Sequence, residues 1–504
     1  MLLPLLLFGC TSPSETDATT PTPERTEDTA QRCHDSPRFL PPTGAAPPFL
    51  TTSTWASRGD TDTFSSPRLV DLDGDGILDV VSGRGTSLGG DPLDTVGYAT
   101  AHSGATGELL WRADARQEVF STAALPDLTG DGVSDPVFGG RHAEMFAVNG
   151  ATGEVLWSFA MEVQEARDAG WYNTFSVQSV ADRDGDSVPD LLIANGGDSL
   201  IEPDESERPS GRLALISGAT GGVLSSALVP DRRETYLSPV LLGTDVIFGT
   251  GGETVEGSLW RASLDDIDSG DLDGALALLE GELGAIAPPS MTDLNDDCID
   301  DIVVANFSGT LAAIDGATNE VLWRVEQEGQ TYNSPTLGFF TDDGIPDVFG
   351  SVMEGSWPVY ERMVHRLIDG ATGAVLWTGE LGVFGSSGSV AVDLDGDGRD
   401  EVILGVNDSS FGSDEPPRWQ LHHFDPVLLT LTPIADLADR AGVANPWIGD
   451  LDGDGLLELV TNTADLTGLS GEWKTERFDL DVAAPPSVSW GSYLGTHGDG
   501  RFVY

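Results

Sequence analysis

The 504-residue sequence predicts an all-β chain, a β-propeller of about eight four-stranded blades, with seven blades as the alternative count. Three observations lead there. An acidic stretch of nine residues, first met as DLDGDGILD from Asp71, returns along the chain. A second motif, Gly-Ala-Thr running into a short apolar stretch, alternates with it. No repeat unit carries an apolar stripe at helical spacing over ten residues, so helices have no room. Self-similarity at a fixed period marks a solenoid, a propeller or an array, and a solenoid with one or two strands per turn needs a shorter period.

The chain opens with MLLPLLLFGC, a short apolar run ending at Cys10, and no stretch is long enough to be a transmembrane helix. The run resembles a bacterial lipoprotein signal, with LFGC (Leu7–Cys10) at the lipobox. That resemblance implies cleavage before Cys10 and lipidation of its thiol. The protein is then exported and held at the outer membrane or cell surface through a lipid anchor only. Residues 11–32 are rich in Thr, Pro and Glu, and proline continues to about residue 48. Such a segment cannot bury a core, so 11–48 is expected to be a disordered tether and 49–504 the propeller. Apart from Cys10, the cysteines are Cys33 and Cys298. In an oxidising compartment they can form a disulfide; the alternative is two separate thiols, with Cys298 buried.

One unit shows how the strands are read. In 65–112, SPRLVD enters the acidic loop as a strand and DVVSG leaves it as a second; YATAHSG is a third and ELLWRA a fourth. The loop recurs from Asp127, Asp182, Asp293, Asp393 and Asp450, with a worn copy, FFTDDGIPD, from Phe339. Neighbouring copies stand 46–57 residues apart, except that 111 residues separate Asp182 from Asp293. The missing copy falls in SPVLLGTDVIFGTGG (238–252), where the flanking strands survive and the acidic loop is gone. The Gly-Ala-Thr motif stands at 103–111, 149–157, 217–225, 315–323 and 369–377, and in four copies ends on Trp111, Trp157, Trp323 or Trp377. Their fixed place after the turn fits packing between blades better than stacking on a cofactor. DSLIEPDESERPSG (198–211) reads as a surface loop of the third blade.

The acidic loops pose an electrostatic question. Asp71, Asp73, Asp75 and Asp79 crowd four like charges into nine residues, which repel one another unless something positive sits among them. Oxygen donors stand at positions 1, 3, 5 and 9, and position 7 offers a backbone carbonyl. The ligand sets are Asp71, Asp73, Asp75, Ile77 and Asp79; Asp127, Thr129, Asp131, Val133 and Asp135; and Asp182, Asp184, Asp186, Val188 and Asp190. Further along come Asp293, Asn295, Asp297, Ile299 and Asp301; Asp393, Asp395, Asp397, Arg399 and Glu401; and Asp450, Asp452, Asp454, Leu456 and Glu458. Hard oxygen donors with glycines for a tight turn suit calcium, about six ions. Magnesium keeps more of its waters, and zinc would want His or Cys. An EF-hand needs a Glu at position 12, where Ser82, Phe138, Ile193, Val304, Leu404 and Thr461 stand instead. The sixth loop, 339–347, has Phe339 and Thr341 in place of its first two ligands and is expected to be degenerate.

On these residues the chain resembles the FG-GAP/VCBS repeat of integrin α-subunit propellers and many bacterial surface proteins. The GATGxxLW element is similar to the repeat of quinoprotein (PQQ-type) propellers. The first resemblance implies calcium ions in the loops at one rim. The second raises a dehydrogenase, but no two cysteines here are adjacent, as many such enzymes have them.

Net charge is −58, with 25 Lys+Arg and 83 Asp+Glu, which argues against a nucleic-acid partner. No nucleophile motif stands out. His422 and His423 are adjacent on an expected strand of the seventh blade and so point to opposite faces. Arg58-Gly59-Asp60 reads as a turn before the first blade. The expected function is a calcium-binding module for adhesion, scaffolding or binding of an unknown protein or glycan, not an enzyme. The alternative is a propeller enzyme such as a quinoprotein dehydrogenase or a polysaccharide lyase. Aromatic residues on inserts at 83–96, 198–211, 353–362 and 407–418, namely Trp357, Tyr360, Phe411 and Trp419, are candidates for ligand contact.

Overall fold

Each repeat unit folds into its own antiparallel sheet, and eight such sheets make an eight-bladed β-propeller. The computed structural model describes residues 33–504 except 35–36, 43–46, 62–63, 86–95, 160, 202–204, 206, 357–358, 386, 410–417, 439 and 465–471. The signal segment, Cys10, tether residues 11–32, Trp357 and Phe411 lie outside the described residues.

The first blade sets the pattern, with strands Arg68–Val70, Asp79–Gly85, Gly97–His102 and Leu109–Ala115 in sequence order from the channel outward. The second strand is buried at every position, because neighbouring blades cover both of its faces. The outer strand alternates buried and exposed residues, as a half-covered strand must. Blade four keeps its hairpin, Val240–Leu242 and Asp245–Gly249, joined by a two-residue turn where the acidic loop is missing. In blade two the innermost strand has shrunk to a single bridge, Ala124 to Val137. Two short helices, Val163–Asp168 and Leu264–Ser269, correct the expectation that none would fit. They sit in the connections between strands. The second has a complete capping box from Ser263 and Asp266.

Both chain ends complete the ring. Trp55–Gly59 is the outer strand of blade eight, antiparallel to Trp473–Ala483 with Trp55 opposite Arg477. Arg58 and Gly59 therefore lie in a strand, not in the expected turn. The C-terminal residues 489–504 fill the channel at the end where the acidic loops stand. Trp490 bridges to Ala391 of blade seven, Gly491 accepts from Ile448 of blade eight, and Arg501 bridges to Met291 of blade five. Arg68 of blade one donates to Ser492 and to the His497 carbonyl. Phe502 and Tyr504 stack edge-on against Phe339 of blade six.

The segment expected as tether is fixed well before residue 48. Cys33 is disulfide-bonded to Cys298, with Cα atoms 5.2 Å apart, and the Leu40 amide donates to the Asp397 carbonyl at 2.7 Å. Tyr360 and Trp419, read as exposed insert aromatics, are 4% and 0% exposed and lie in strands. In blade six the hairpin strands run into the expected insert, and in blade seven Trp419 is the second residue of the strand that follows it; both rings are buried. His422 and His423 lie on a strand of the seventh blade, both buried.

Candidate functional site

The acidic loops turn inside their own backbones. In the first, Asp71 accepts from the amides of Gly74 (2.8 Å) and Gly76 (3.0 Å), and Asp75 accepts from Ile77 (2.8 Å). Positions 4 and 6 have positive φ, 78° at Gly74 and 87° at Gly76, which glycine adopts without steric cost. Asp182, Asp393 and Asp450 repeat the first-position bonds at 2.7–3.1 Å.

This winding brings oxygens of positions 1, 3 and 9 together in four loops. Asp71, Asp73 and Asp79 each offer an oxygen within 4.8 Å of the other two; so do Asp182, Asp184 and Asp190. The same holds for Asp393, Asp395 and Glu401, and for Asp450, Asp452 and Glu458. Position 5 (Asp75, Asp186, Asp397 and Asp454) stands outside each three-oxygen cluster and bonds instead to the amide of position 7, Ile77, Val188, Arg399 or Leu456. Burial, with like charges beside it, pushes the ninth carboxyl up: Asp79 to about 6, Glu458 to about 7 and Glu401 to about 10. Three clustered carboxylate oxygens are hard donors of the kind that could hold calcium.

The other two loops assemble less. Among the described residues, neither gathers three of its own carboxylates. Position 3 is Thr129 in one, where the backbone amide donates to Asp135 at 2.8 Å. It is Asn295 in the other, whose amide group leaves the loop for Asp315 (3.2 Å). Asp127 and Asp131 keep their turn bonds to Gly130, Gly132 and Val133, and Asp297 keeps its bond to Ile299. The fifth loop also carries Asp296 and Cys298 at φ of 62° and 72°, where the clustered loops have glycine apart from Ser187 (φ 74°) of the third. The Asp293–Asp296–Cys33 grouping offers no thiolate, because Cys33 is in the disulfide.

Loops seven and eight have guanidinium partners, one within the loop and one from the neighbouring strand Trp473–Ala483. Arg399 pairs with Asp397 (2.8 Å) and reaches Asp342 of the degenerate loop. Arg477 pairs with Asp452 (2.6 Å) and lies 3.6 Å from Glu458. Loops one and three have no such guanidinium on a clustered carboxylate among the described residues.

Sequence reasoning missed a second duty of position 9. Asp79 accepts from the Leu72 amide with one oxygen (2.9 Å) and from the Gly104 amide with the other (3.1 Å). Gly104 opens the Gly-Ala-Thr turn. Asp135, Asp190, Asp301 and Asp347 bind the matching glycines 150, 218, 316 and 370 at 2.9–3.1 Å. A Cβ on Gly104 would fall 1.9 Å from the Leu78 carbonyl, so only glycine fits. The carbonyl of this glycine then accepts from the preceding blade: Trp55 to Gly104, Trp111 to Gly150, Trp157 to Gly218 and Trp323 to Gly370, at 2.6–2.7 Å. Blade four, which has no such tryptophan, uses Arg261 on Gly316 (2.7 Å). One signal was available: position 9 is Asp in every blade with the Gly-Ala-Thr turn and Glu401 or Glu458 in the two blades that have the acidic loop without that turn.

The comparisons with known proteins concern the propeller. The family model of the FAM234A/B β-propeller matches residues 94–241, less than a third of the chain. No curated protein matches the sequence. Among solved structures, BamB from Moraxella catarrhalis is 14% identical, with 85% of this chain and 100% of that chain covered, at a TM-score of 0.49. A quinohemoprotein alcohol dehydrogenase from Pseudomonas putida HK5 is 12% identical, covering 87% and 77%, at 0.55. A europium-containing methanol dehydrogenase is 10% identical, covering 84% and 93%, at 0.55. At these identities the two dehydrogenases share the fold with this chain, and nothing more follows.

Proposed function

We propose that this chain is an exported, calcium-stabilised propeller of the FG-GAP/VCBS kind that serves as a binding or adhesion module rather than as an enzyme. The observation that carries the reading is the set of four loops whose first, third and ninth oxygens converge within 4.8 Å. Calcium supplies the missing positive charge there, and the side chains at these positions hold it. Because each loop joins the two inner strands of a blade, an ion in it fixes that hairpin. A ligand that binds only the folded state adds about 2.7 kcal/mol at a hundredfold excess over its dissociation constant. Calcium added to chelator-treated protein therefore raises the melting temperature beyond a matched ionic-strength control. An unchanged melting curve sinks the proposal.

The anchor is proposed on sequence alone. Cys10 carries the lipid, and Cys10→Ser releases a folded propeller from the membrane fraction. Cys10 found unmodified in the N-terminal peptide refutes it. The competing reading, a quinoprotein-type dehydrogenase, draws on the shared fold of the solved dehydrogenases. Alcohol oxidation by the protein with added quinone would favour that reading instead.

A further inference from the structure

The face of the ring opposite the acidic loops has its own repeat. Three to five residues before each inner-strand core stand FSSPRL (64–69), FSTAAL (120–125), FSVQSV (175–180), YLSPVL (236–241), YNSPTL (332–337) and VANPWI (443–448). The first residue of each set reaches the channel mouth. Phe64, Phe120, Phe175, Tyr236 and Tyr332 form a half-buried collar around a recess of about 250 Å³. Phe120 meets Phe175 edge-on at 5.4 Å, and Phe175 meets Tyr236 at 5.9 Å, so the rings brace one another.

Two residues further on, the same repeat places hydroxyls and an amide beneath the collar: Ser66, Thr122, Ser238 and Asn445 line the recess. Tyr493 of the C-terminal segment bonds to Ser238 (2.9 Å) and closes it from below. Ser334 and Ser387 occupy the matching register in blades six and seven, three residues before Leu337 and Val390. Their hydroxyls have no hydrogen-bond partner, and Ser387 is only 5% exposed. These two lie outside the recess lining; within it Ser66, Thr122 and Ser176 each accept one backbone amide, and each hydroxyl keeps its own hydrogen to donate to a ligand.

No Asp, Glu, Lys or Arg lines the recess among the described residues. The nearest guanidinium, Arg141 over the Phe120 ring, is already paired with Glu118 at 2.9 Å, so a charged ligand would lose its water there for little return. A small, uncharged molecule with one apolar face and several hydroxyls meets both layers: its face stacks on the rings and its edges bond to the serines. From this juxtaposition we infer that the channel mouth binds a single neutral sugar residue, the end of a glycan. The inference rests on the binding-module reading and names its ligand class.

The test is saturation-transfer NMR with a panel of neutral monosaccharides on the calcium-loaded protein. At least one sugar binds the native protein, with a dissociation constant on the order of 1 mM. Phe120→Leu and Phe175→Leu keep apolar volume but lose the flat ring, so each still folds and binds that sugar about tenfold more weakly. Ser238→Ala, which removes a hydroxyl lining the recess, weakens it further. Equal binding in the variants, preference for arginine methyl ester as a cationic probe, or no binding of any sugar each overturns the inference. In those outcomes a normal calcium titration leaves the binding-module reading standing, whereas quinone-dependent alcohol oxidation removes it.

Discussion

The first and sixth acidic loops share their second half, including the bond from the seventh amide to the fifth carboxylate (2.8 Å in each) and the ninth Asp, but differ at positions 1 and 3. Asp79 and Asp347 each accept from the second residue of the loop and from the glycine of the following turn, at 2.9–3.2 Å. Around Asp79 stand Asp71 and Asp73; at the same positions the sixth loop has Phe339 and Thr341, and Phe339 packs on Phe502. The difference separates two jobs that one motif performs. Position 9 ties the loop to the turn whether or not a cation binds. Positions 1 and 3 add the two further oxygens that, on the proposed reading, hold a cation.

Asp347→Ala tests the architectural job, and the largest loss of stability is expected there. Two backbone amides that the buried carboxylate satisfies would lose their acceptor, at about 1–3 kcal/mol each. Denaturant unfolding should show a loss of about 3 kcal/mol, and the number of calcium ions bound should not change. A variant as stable as the native protein would show that position 9 is no strut.

The cage is tested by Asp73→Ala against Thr341→Ala. Changes one shell out from a metal cost about 10–100-fold in affinity, and removing a ligand should cost no less. Calorimetric titration should therefore lose one strong site in Asp73→Ala and none in Thr341→Ala. Equal losses would erase the contrast between the two loops.

A smaller effect follows from pH. Burial raises Asp79 to about 6 and Glu458 to about 7 in the folded chain, above the ordinary carboxylate range. A raised folded pKa means that the folded state holds the proton more tightly. That stability is complete below about pH 4 and is lost as pH rises through 6 to 7. On the proposed reading calcium replaces the proton, so the melting-temperature gap between calcium-loaded and chelated protein should widen from pH 4 to pH 7. A gap independent of pH would mean that the ninth carboxylates do not face the ion.

Much of this was legible in the sequence because it repeats. The acidic loops, the Gly-Ala-Thr turns and the strands between them recur at one period, and blade four was located by the gap it leaves. What escaped was whatever lies outside the period or depends on a distant partner. Trp55 does for blade one what Trp111 does for blade two, but it stands some four hundred residues from its own blade and without the turn that marks the others. Arg261 fills a tryptophan's place through a different donor. Tyr360 and Trp419 read as loop aromatics because the flanking sequence is polar, yet both stand in strands and are buried. The C-terminal segment has no repeat to announce it, and its partners come from blades across the whole ring.

The disulfide at Cys33 changes how the molecule would bear tension. A pull on the N-terminus would otherwise peel Trp55–Gly59 from Trp473–Ala483 one hydrogen bond at a time and open the ring at its seam. The link to Cys298 takes up the load first, twenty-two residues upstream of that strand, and passes it into blade five. The seam is then left slack under traction, and a reductant would shift the load back onto it. Single-molecule pulling with and without reductant should show the difference as a drop in the force at which the ring first opens; equal forces would mean that the seam never lay in the load path.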